Sequence, residues 1–318
     1  MRRMTLYILL GIIISITIAG IAFLHQPSFG RLPKGERLEH IKRSPNYREG
    51  EFRNIDTTIL MTSHKSRLSG IWSFLFRKVE GLRPDEPIPA IKTALRKIPL
   101  EENALVWFGH SSYLLQVDEK RILVDPVFCM ASPVSFVNKP FRGTEIYSPD
   151  DMPDIDYLVI SHDHWDHLDY HTVKQLKGRI GKVVCPLGVG EHFEHWGFDK
   201  SRIIELDWKE SATLSQQFII HCLPSRHFSG RGLTPNQTLW ASFLLETPDR
   251  KIFIGGDGGY GSHLKQIGEQ FPDIDLAILE NGQYNEDWKY IHTMPSLLEQ
   301  TIKAVSYTHL RAHETGRN

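Results

Sequence analysis

Residues 162–167 read His-Asp-His-Trp-Asp-His and directly follow the short apolar run Tyr157-Leu-Val-Ile-Ser161. The run contains β-branched residues and reads as a buried strand. The hexapeptide after it offers four ligand-type side chains: His162, His164, Asp166 and His167. Imidazole and carboxylate suit Zn²⁺ or a similar divalent cation at ~2.0–2.2 Å. A loop just past a strand's C-terminal end can turn all four toward one point. A lone His-x-His would fit a polar surface loop equally well; Asp and His in the same turn point to metal. The chain must therefore fold so that a strand ends at a metal-binding loop.

One loop cannot complete such a site. Two later segments have matching chemistry. Pro224-Ser-Arg-His-Phe228 follows the apolar run Phe218-Ile-Ile-His-Cys-Leu223, and Gly255-Gly-Asp-Gly-Gly259 follows Lys251-Ile-Phe-Ile254. Each strand delivers one candidate, His227 or Asp257, into a turn. Glycines beside Asp257 allow positive φ and close backbone approach, as a carboxylate between two ions requires. Either segment alone is a weak signal, because Gly-Asp-Gly is commonly a hairpin turn. Their order and strand-end placement strengthen both.

His-x-His-x-Asp-His, then His, then Gly-Asp resembles the metallo-β-lactamase-fold hydrolases. Further runs narrow the likeness: Trp107-Phe-Gly-His-Ser-Ser112, Leu123-Val-Asp-Pro-Val127, Asn236-Gln-Thr-Leu-Trp240-Ala-Ser after Arg226-His-Phe, and Gly256-Asp-Gly-Gly-Tyr260. They resemble the branch containing N-acylphosphatidylethanolamine-hydrolysing phospholipase D and its bacterial relatives. The likeness covers residues 100–304, with a weaker match over residues 29–56. It implies a four-layer αββα sandwich. It also implies that His162, His164 and His227 hold one Zn²⁺, that Asp166 and His167 hold a second, and that Asp257 bridges them. A hydroxide shared by two such ions would attack phosphorus or carbonyl carbon at neutral pH.

Three residues are catalytic candidates. Asp166 could orient the hydroxide by accepting its proton. His110, in Phe-Gly-His-Ser, either sits at the site or makes a structural hydrogen bond. His292, in Tyr290-Ile-His-Thr-Met-Pro295, aligns with a histidine bordering the family's substrate site. Asp125 is expected to tie a turn or support ligands from behind. Tyr260 and Tyr284 are expected to pack.

The resemblance also implies a further histidine near the C-terminus, in a His-Trp-Gly-Thr-Phe-type segment that this sequence lacks. Residues 305–315, Val-Ser-Tyr-Thr-His-Leu-Arg-Ala-His-Glu-Thr, match the translation of a sequencing-library adaptor. Residues 305–318 are therefore expected to lie outside the fold, and the domain, residues 101–304, to lack its final strand and helix.

At the other end, residues 4–24 are almost wholly apolar and uncharged, long enough to span a bilayer, which needs ~20 residues. The run exceeds a signal peptide's core and ends without a small-x-small site, so residues 1–24 read as an uncleaved single-pass anchor in the cell membrane. Basic residues flank both sides, so orientation is open; signal-anchor behaviour would put the domain outside the cytoplasm. Residues 25–100 form an extension, extended and wrapped on the domain to about residue 60, with a short apolar patch at Ile71-Trp-Ser-Phe-Leu-Phe76.

From residue 103 the pattern is strand-rich, at 104–108, 112–117, 121–124, 157–161, 182–185, 202–206, 217–223, 239–246, 251–254 and 275–279. Helices at 170–176 and 263–271 fall between, as two face-to-face sheets with outer helices require. The chain has 318 residues and a net charge of −1, so bulk electrostatics give no reason to expect a nucleic-acid partner. Three scattered cysteines, Cys129, Cys185 and Cys222, read as thiols rather than a disulfide framework. The expected function is metal-dependent hydrolysis, of phospholipase D type on an N-acyl phospholipid. The alternatives are a lactonase or β-lactam-type amide hydrolase, and a non-catalytic membrane-attached metal-binding protein.

Overall fold

The computed structural model describes residues 2–62, 81, 83–135, 137–281, 284–305 and 310–313. The apolar patch at 71–76 lies outside the described residues. Among these residues, two six-stranded sheets carry the fold. The first holds β3 (Ala104–Gly109), β4 (Ser112–Val117), β5 (Lys120–Val124), β6 (Ile155–Val159), β7 (Ile180–Pro186) and β8 (Ile203–Leu206) in that order. The second holds β9 (Ser211–Ser215), β10 (Phe218–Leu223), β11 (Ser242–Glu246), β12 (Lys251–Ile254), β13 (Leu276–Glu280) and β14 (Leu310–His313). In each sheet a meander of antiparallel strands passes into parallel pairs, β5–β6–β7–β8 and β12–β13–β14.

Alternation along the strands builds the layers. Leu115 and Val117 of β4, Ile122 and Val124 of β5, and Val159 of β6 face Ile220, Phe243, Leu245, Ile252 and Ile254 in a core between the sheets. The opposite side chains of the first sheet, Leu114, Leu123, Leu158 and Val183, meet α3 (Tyr170–Leu176) and α4 (Gly190–His195) through Val173, Leu176 and Phe193. Those of the second, Leu244, Phe253, Ala277 and Leu279, meet α5 (Ser262–Gln270) and α6 (Leu298–Val305) through Leu264, Ile267 and Val305. The result is the expected αββα sandwich, with both sheets covered on both faces.

Three features depart from expectation. Residues 239–241 stop short of β11, because Leu239, Trp240 and Ala241 bond to other loops: Leu239 N donates to Leu187 O at 2.9 Å and Ala241 N to Ser161 O at 2.9 Å. β9 was not foreseen, since Ser-Ala-Thr-Leu-Ser is a half-exposed edge strand with one buried apolar residue. Leu310–His313, expected to take no part in the fold, pairs parallel to β13 from Ala277↔Leu310 to Glu280↔His313. An uncovered strand edge presents a row of backbone groups that templates any extended segment, so this pairing needs no side-chain specificity.

The N-terminal segment is more structured than an extended wrap. The helix α1 (Arg2–Leu24) is long and apolar enough to cross a membrane, and its apolar run is not buried against the rest of the protein. Its last turn meets the domain through edge-on rings: Phe23 on Phe29 at 5.3 Å, and Phe29 on Trp165 at 4.9 Å. After a short helix α2 (Gly35–Ile41) comes a hairpin of β1 (Tyr47–Arg48) and β2 (Glu51–Phe52).

Arg37 on α2 is the main electrostatic clasp. It pairs with Glu191, with Glu194 at 2.6 Å and with Glu205 at 2.7 Å, its side chain only 10% exposed and that of Glu191 only 3%. Arg37→Ala should cost about 3 kcal/mol, near the lower end for breaking a buried pair, because Arg31 still reaches Glu191 at 2.6 Å. Denaturant unfolding measures this; a loss below about 1 kcal/mol would place the pair among exposed ones.

Candidate metal centre

All the predicted loops lie at C-terminal strand ends on one rim of the sandwich. Residues 161–167 follow β6, 224–228 follow β10, 255–259 follow β12, Asp125 follows β5, and Glu280 ends β13. Cross-loop hydrogen bonds lock them together. Ser225 Oγ donates to Asp257 O at 2.7 Å, Gly259 N to Arg226 O at 3.0 Å, and Thr293 Oγ1 to Gly258 O at 2.7 Å. Gly256 sits at φ 61°, and a Cβ there would lie 2.8 Å from Ser161 Cβ. Both the backbone conformation and the space exclude a side chain at this crossing.

Three imidazoles converge. His164 Nδ1 lies 2.9 Å from His162 Nε2 and 3.2 Å from His227 Nε2. Nitrogens sharing one tetrahedral ion at ~2.0–2.1 Å would stand about 3.3 Å apart. Asp257 joins two groups of donor atoms lying within 4.8 Å of one another, one with His162 and His167, the other with His227 and His292. A further group unites His110, Asp166 and His167. Every residue foreseen from the sequence as a ligand or catalytic group is thus brought to this rim.

The side chains behind these groups set their orientation. His227 Nδ1 donates to Ile291 O at 2.7 Å, and His162 Nδ1 lies 3.0 Å from Ser161 Oγ, which leaves each Nε2 facing the cluster. His167 Nδ1 meets Asp125 Oδ2 at 2.9 Å, while Ser161 N and Oγ donate to Asp125 at 2.8 and 2.6 Å. Such outer partners fix tautomer and ring angle. Asp163, the remaining carboxylate of the motif, turns away: it accepts from Gly230 N at 2.7 Å and meets His192 Nε2 at 3.1 Å, pinning the loop.

Electrostatics divide the site in two. Burial, reinforced by neighbouring imidazoles, holds His162 and His227 well below the usual histidine range, and burial also lowers His164. These rings are neutral and ligand-competent at neutral pH. For His167 burial opposes protonation, but Asp257 and Asp125 outweigh it and raise its pKa well above normal. Burial likewise resists ionisation of Asp257 and Asp166; adjacent His167, and His110 for Asp166, bring both below the usual carboxylate range. His110 Nε2 lies 3.3 Å from Asp166 Oδ2.

This donor set fits divalent cations. It is all nitrogen and oxygen, buried, and convergent from separate loops. Asp257 Oδ1 is buried with no hydrogen-bond partner among the described residues, a costly state unless something else satisfies it.

A match to the Beta-lactamase superfamily domain spans residues 120–313. The chain belongs to the β-lactamase superfamily. Within this metallo-β-lactamase-fold family, an uncharacterised protein of Mycobacterium tuberculosis is 39% identical over 280 residues, covering 86% of this chain and 72% of that protein. An N-acyl-phosphatidylethanolamine-hydrolyzing phospholipase D from Caenorhabditis elegans is 32% identical over 216 residues, 63% of this chain and 60% of that one. A Klebsiella pneumoniae protein named outer membrane protein RomA is 58% identical over 98 residues, 31% of this chain and 72% of its own length. Among solved structures, an isothiocyanate hydrolase from Delia radicum gut bacteria shares the superfamily fold at TM-score 0.51 and 16% identity, covering 67% of this chain and 85% of that one. The diiron β-hydroxylase CmlA from Streptomyces venezuelae does so at TM-score 0.51 and 18% identity, covering 67% and 45%.

Sequence reading of the superfamily motifs missed the carbonyl of Ile291 and the carboxylate of Glu280. Glu280 Oε1 meets His292 Nδ1 at 2.6 Å, and Oε2 accepts from Gly258 N at 2.8 Å. A glutamate ending an apolar strand, Leu-Ala-Ile-Leu-Glu, was the available signal. Tyr284 is 72% exposed and does not pack as expected, whereas Tyr260 does. The support behind the histidines is testable at Asp125. Asp125→Asn should weaken metal affinity about 10–100-fold, read by metal titration; unchanged affinity would make Asp125 a turn residue only.

Proposed function

We propose that this chain is a metal-dependent hydrolase that cuts a phosphodiester bond of an N-acyl phospholipid in the manner of a phospholipase D. The observation that carries the hydrolytic reading is the meeting of His162, His164 and His227 with Asp166, His167 and Asp257 on one rim. In this reading the three imidazoles would hold one Zn²⁺, Asp166 and His167 would hold a second, and Asp257 would contribute to both. Such a pair, when bound, polarises the scissile group and lowers the pKa of water from ~15.7 toward ~7.

The protein's own groups do the rest. Asp166, kept ionised beside His110, would orient the attacking water by accepting a hydrogen bond from it. His292 is buried, which disfavours its charge, but Glu280 outweighs burial and raises its pKa to about 9. A cationic imidazole 3.7 Å from Asp257 stands ready to donate a hydrogen bond to the scissile group. No serine or cysteine nucleophile is needed.

The phospholipid part rests on two supports. One is the likeness to phospholipases D of worm and yeast, each 32% identical. The other is the apolar helix α1, whose last turn connects through Phe23 and Phe29 to Trp165, between His164 and Asp166. A single-pass anchor in the cell membrane would hold this rim near the bilayer, where such a substrate resides. Signal-anchor behaviour of that helix would put the domain on the extracytoplasmic side.

The test is an assay of the full chain, loaded with Zn²⁺, on vesicles of N-acylphosphatidylethanolamine, on a lactone and on a β-lactam. Release of N-acylethanolamine with phosphatidic acid is the expected result. Ring opening with the phosphodiester untouched would make the enzyme a lactonase or amide hydrolase. Metal binding with no turnover on any of them would leave a non-catalytic metal-binding protein.

A further inference from the structure

His227 lies four residues past the end of β10, in a loop whose course a strand no longer dictates. Its backbone is held instead by one side chain from the N-terminal segment. Asn54 Nδ2 donates to His227 O at 2.8 Å, and Asn54 Oδ1 accepts from His227 N at 3.1 Å. The same Oδ1 accepts from Trp240 Nε1 at 3.1 Å. A planar amide 173 positions away thus satisfies both main-chain groups of a residue only 1% exposed. It takes the place of a neighbouring strand.

The ring is fixed separately by Ile291 O, so backbone and imidazole are each pinned and Nε2 has one direction left, toward His164 Nδ1. The stretch carrying Asn54 is itself anchored on both sides. Phe52 N donates to Asn236 O at 2.9 Å, and Arg226 donates to Thr57 O and Thr58 Oγ1 at 3.0 Å each.

We infer that Asn54 is a positioning residue for metal binding: it sets the His227 backbone so that Nε2 meets His162 and His164 at one point. The inference rests on the metal-binding reading above. Chemistry explains the residue type. Alanine would leave a buried N–H and C=O unpaired, a state that native structures avoid. Aspartate can accept from His227 N and Trp240 but cannot donate to His227 O, and would set a negative charge against that carbonyl.

The experiment is cobalt(II) titration of the metal-free full chain, followed by visible absorption, for wild type, Asn54→Ala, Asn54→Asp and Thr58→Ala. Thr58→Ala removes a contact between the same segment and Arg226 without touching His227. Expected is a 10–100-fold weaker Kd and an altered cobalt spectrum in Asn54→Ala, a smaller loss in Asn54→Asp, and wild-type behaviour in Thr58→Ala. Should Asn54→Ala not fold, as judged by circular dichroism, the aspartate variant decides, and wild-type affinity in it overturns the inference. A folded alanine variant with wild-type affinity and spectrum also overturns it, while leaving the metal reading intact. So does an equal loss in Thr58→Ala, which would mean a general strap. Failure of the wild type to bind cobalt would instead remove the metal reading itself.

Discussion

Asp257→Ala is expected to lower kcat/KM by at least about 10³-fold, because the hydroxide supply at neutral pH depends on cations held in register. Asp257 is the residue common to the group with His162 and His167 and to the group with His227 and His292. It is 5% exposed, and nearby imidazoles keep it ionised against the effect of burial. No other carboxylate in these groups touches both sets of histidines. Alanine there leaves His167 Nε2 without the oxygen now 3.2 Å away. Elemental analysis should show lower metal content in the purified variant alongside the loss of turnover. Near-wild-type activity with unchanged metal content would mean that the carboxylate is a turn residue of a glycine-rich loop and nothing more.

The second large effect is thermal. Removing metal by chelation should abolish hydrolysis and lower the Tm by about 10 °C, since a ligand at a thousand times its Kd stabilises by ~4 kcal/mol and 1 kcal/mol moves a domain of this size by ~2–4 °C. The site gathers six histidines with Asp166, Asp257 and Glu280 on one rim, most of them buried. Without cations the Nε2 atoms of the neutral His162 and His227 rings crowd His164 Nδ1, at 2.9 and 3.2 Å. The metal effect should also fade with acid. Ring nitrogens must be deprotonated to bind, and for His162 and His227 the lowered pKa values postpone proton competition to well below the ordinary histidine range. Differential scanning calorimetry with and without chelator measures this. Equal Tm values in both would show that the loops are held by hydrogen bonds alone.

How much of this was legible in the sequence depends on the range of the interaction. His162, His164, Asp166 and His167 share one turn, so spacing alone exposed them. His227 and Asp257 were legible because each ends an apolar strand, where side chains of a two-sheet sandwich gather. The interior strands were read nearly to their ends, since buried runs such as Ile-Phe-Ile carry their own signal. The edge strand β9 carried none, being polar and half exposed. Residues that act through one long-range hydrogen bond were also silent. Asn54 has no local pattern, and the Ile291 carbonyl belongs to no side chain at all. Glu280 stood out only as a charge at a strand's end. Residues 310–313 show the converse: backbone pairing on the edge of β13 is available to a segment whose sequence promised nothing.

The most direct test of the account is X-ray absorption at the zinc edge on the full chain loaded with Zn²⁺, compared with His164→Ala. Expected are nitrogen and oxygen neighbours at ~2.0–2.2 Å with imidazole scattering, reduced in the variant together with metal content. A zinc environment containing sulfur, or a spectrum and stoichiometry unchanged by His164→Ala, would contradict it.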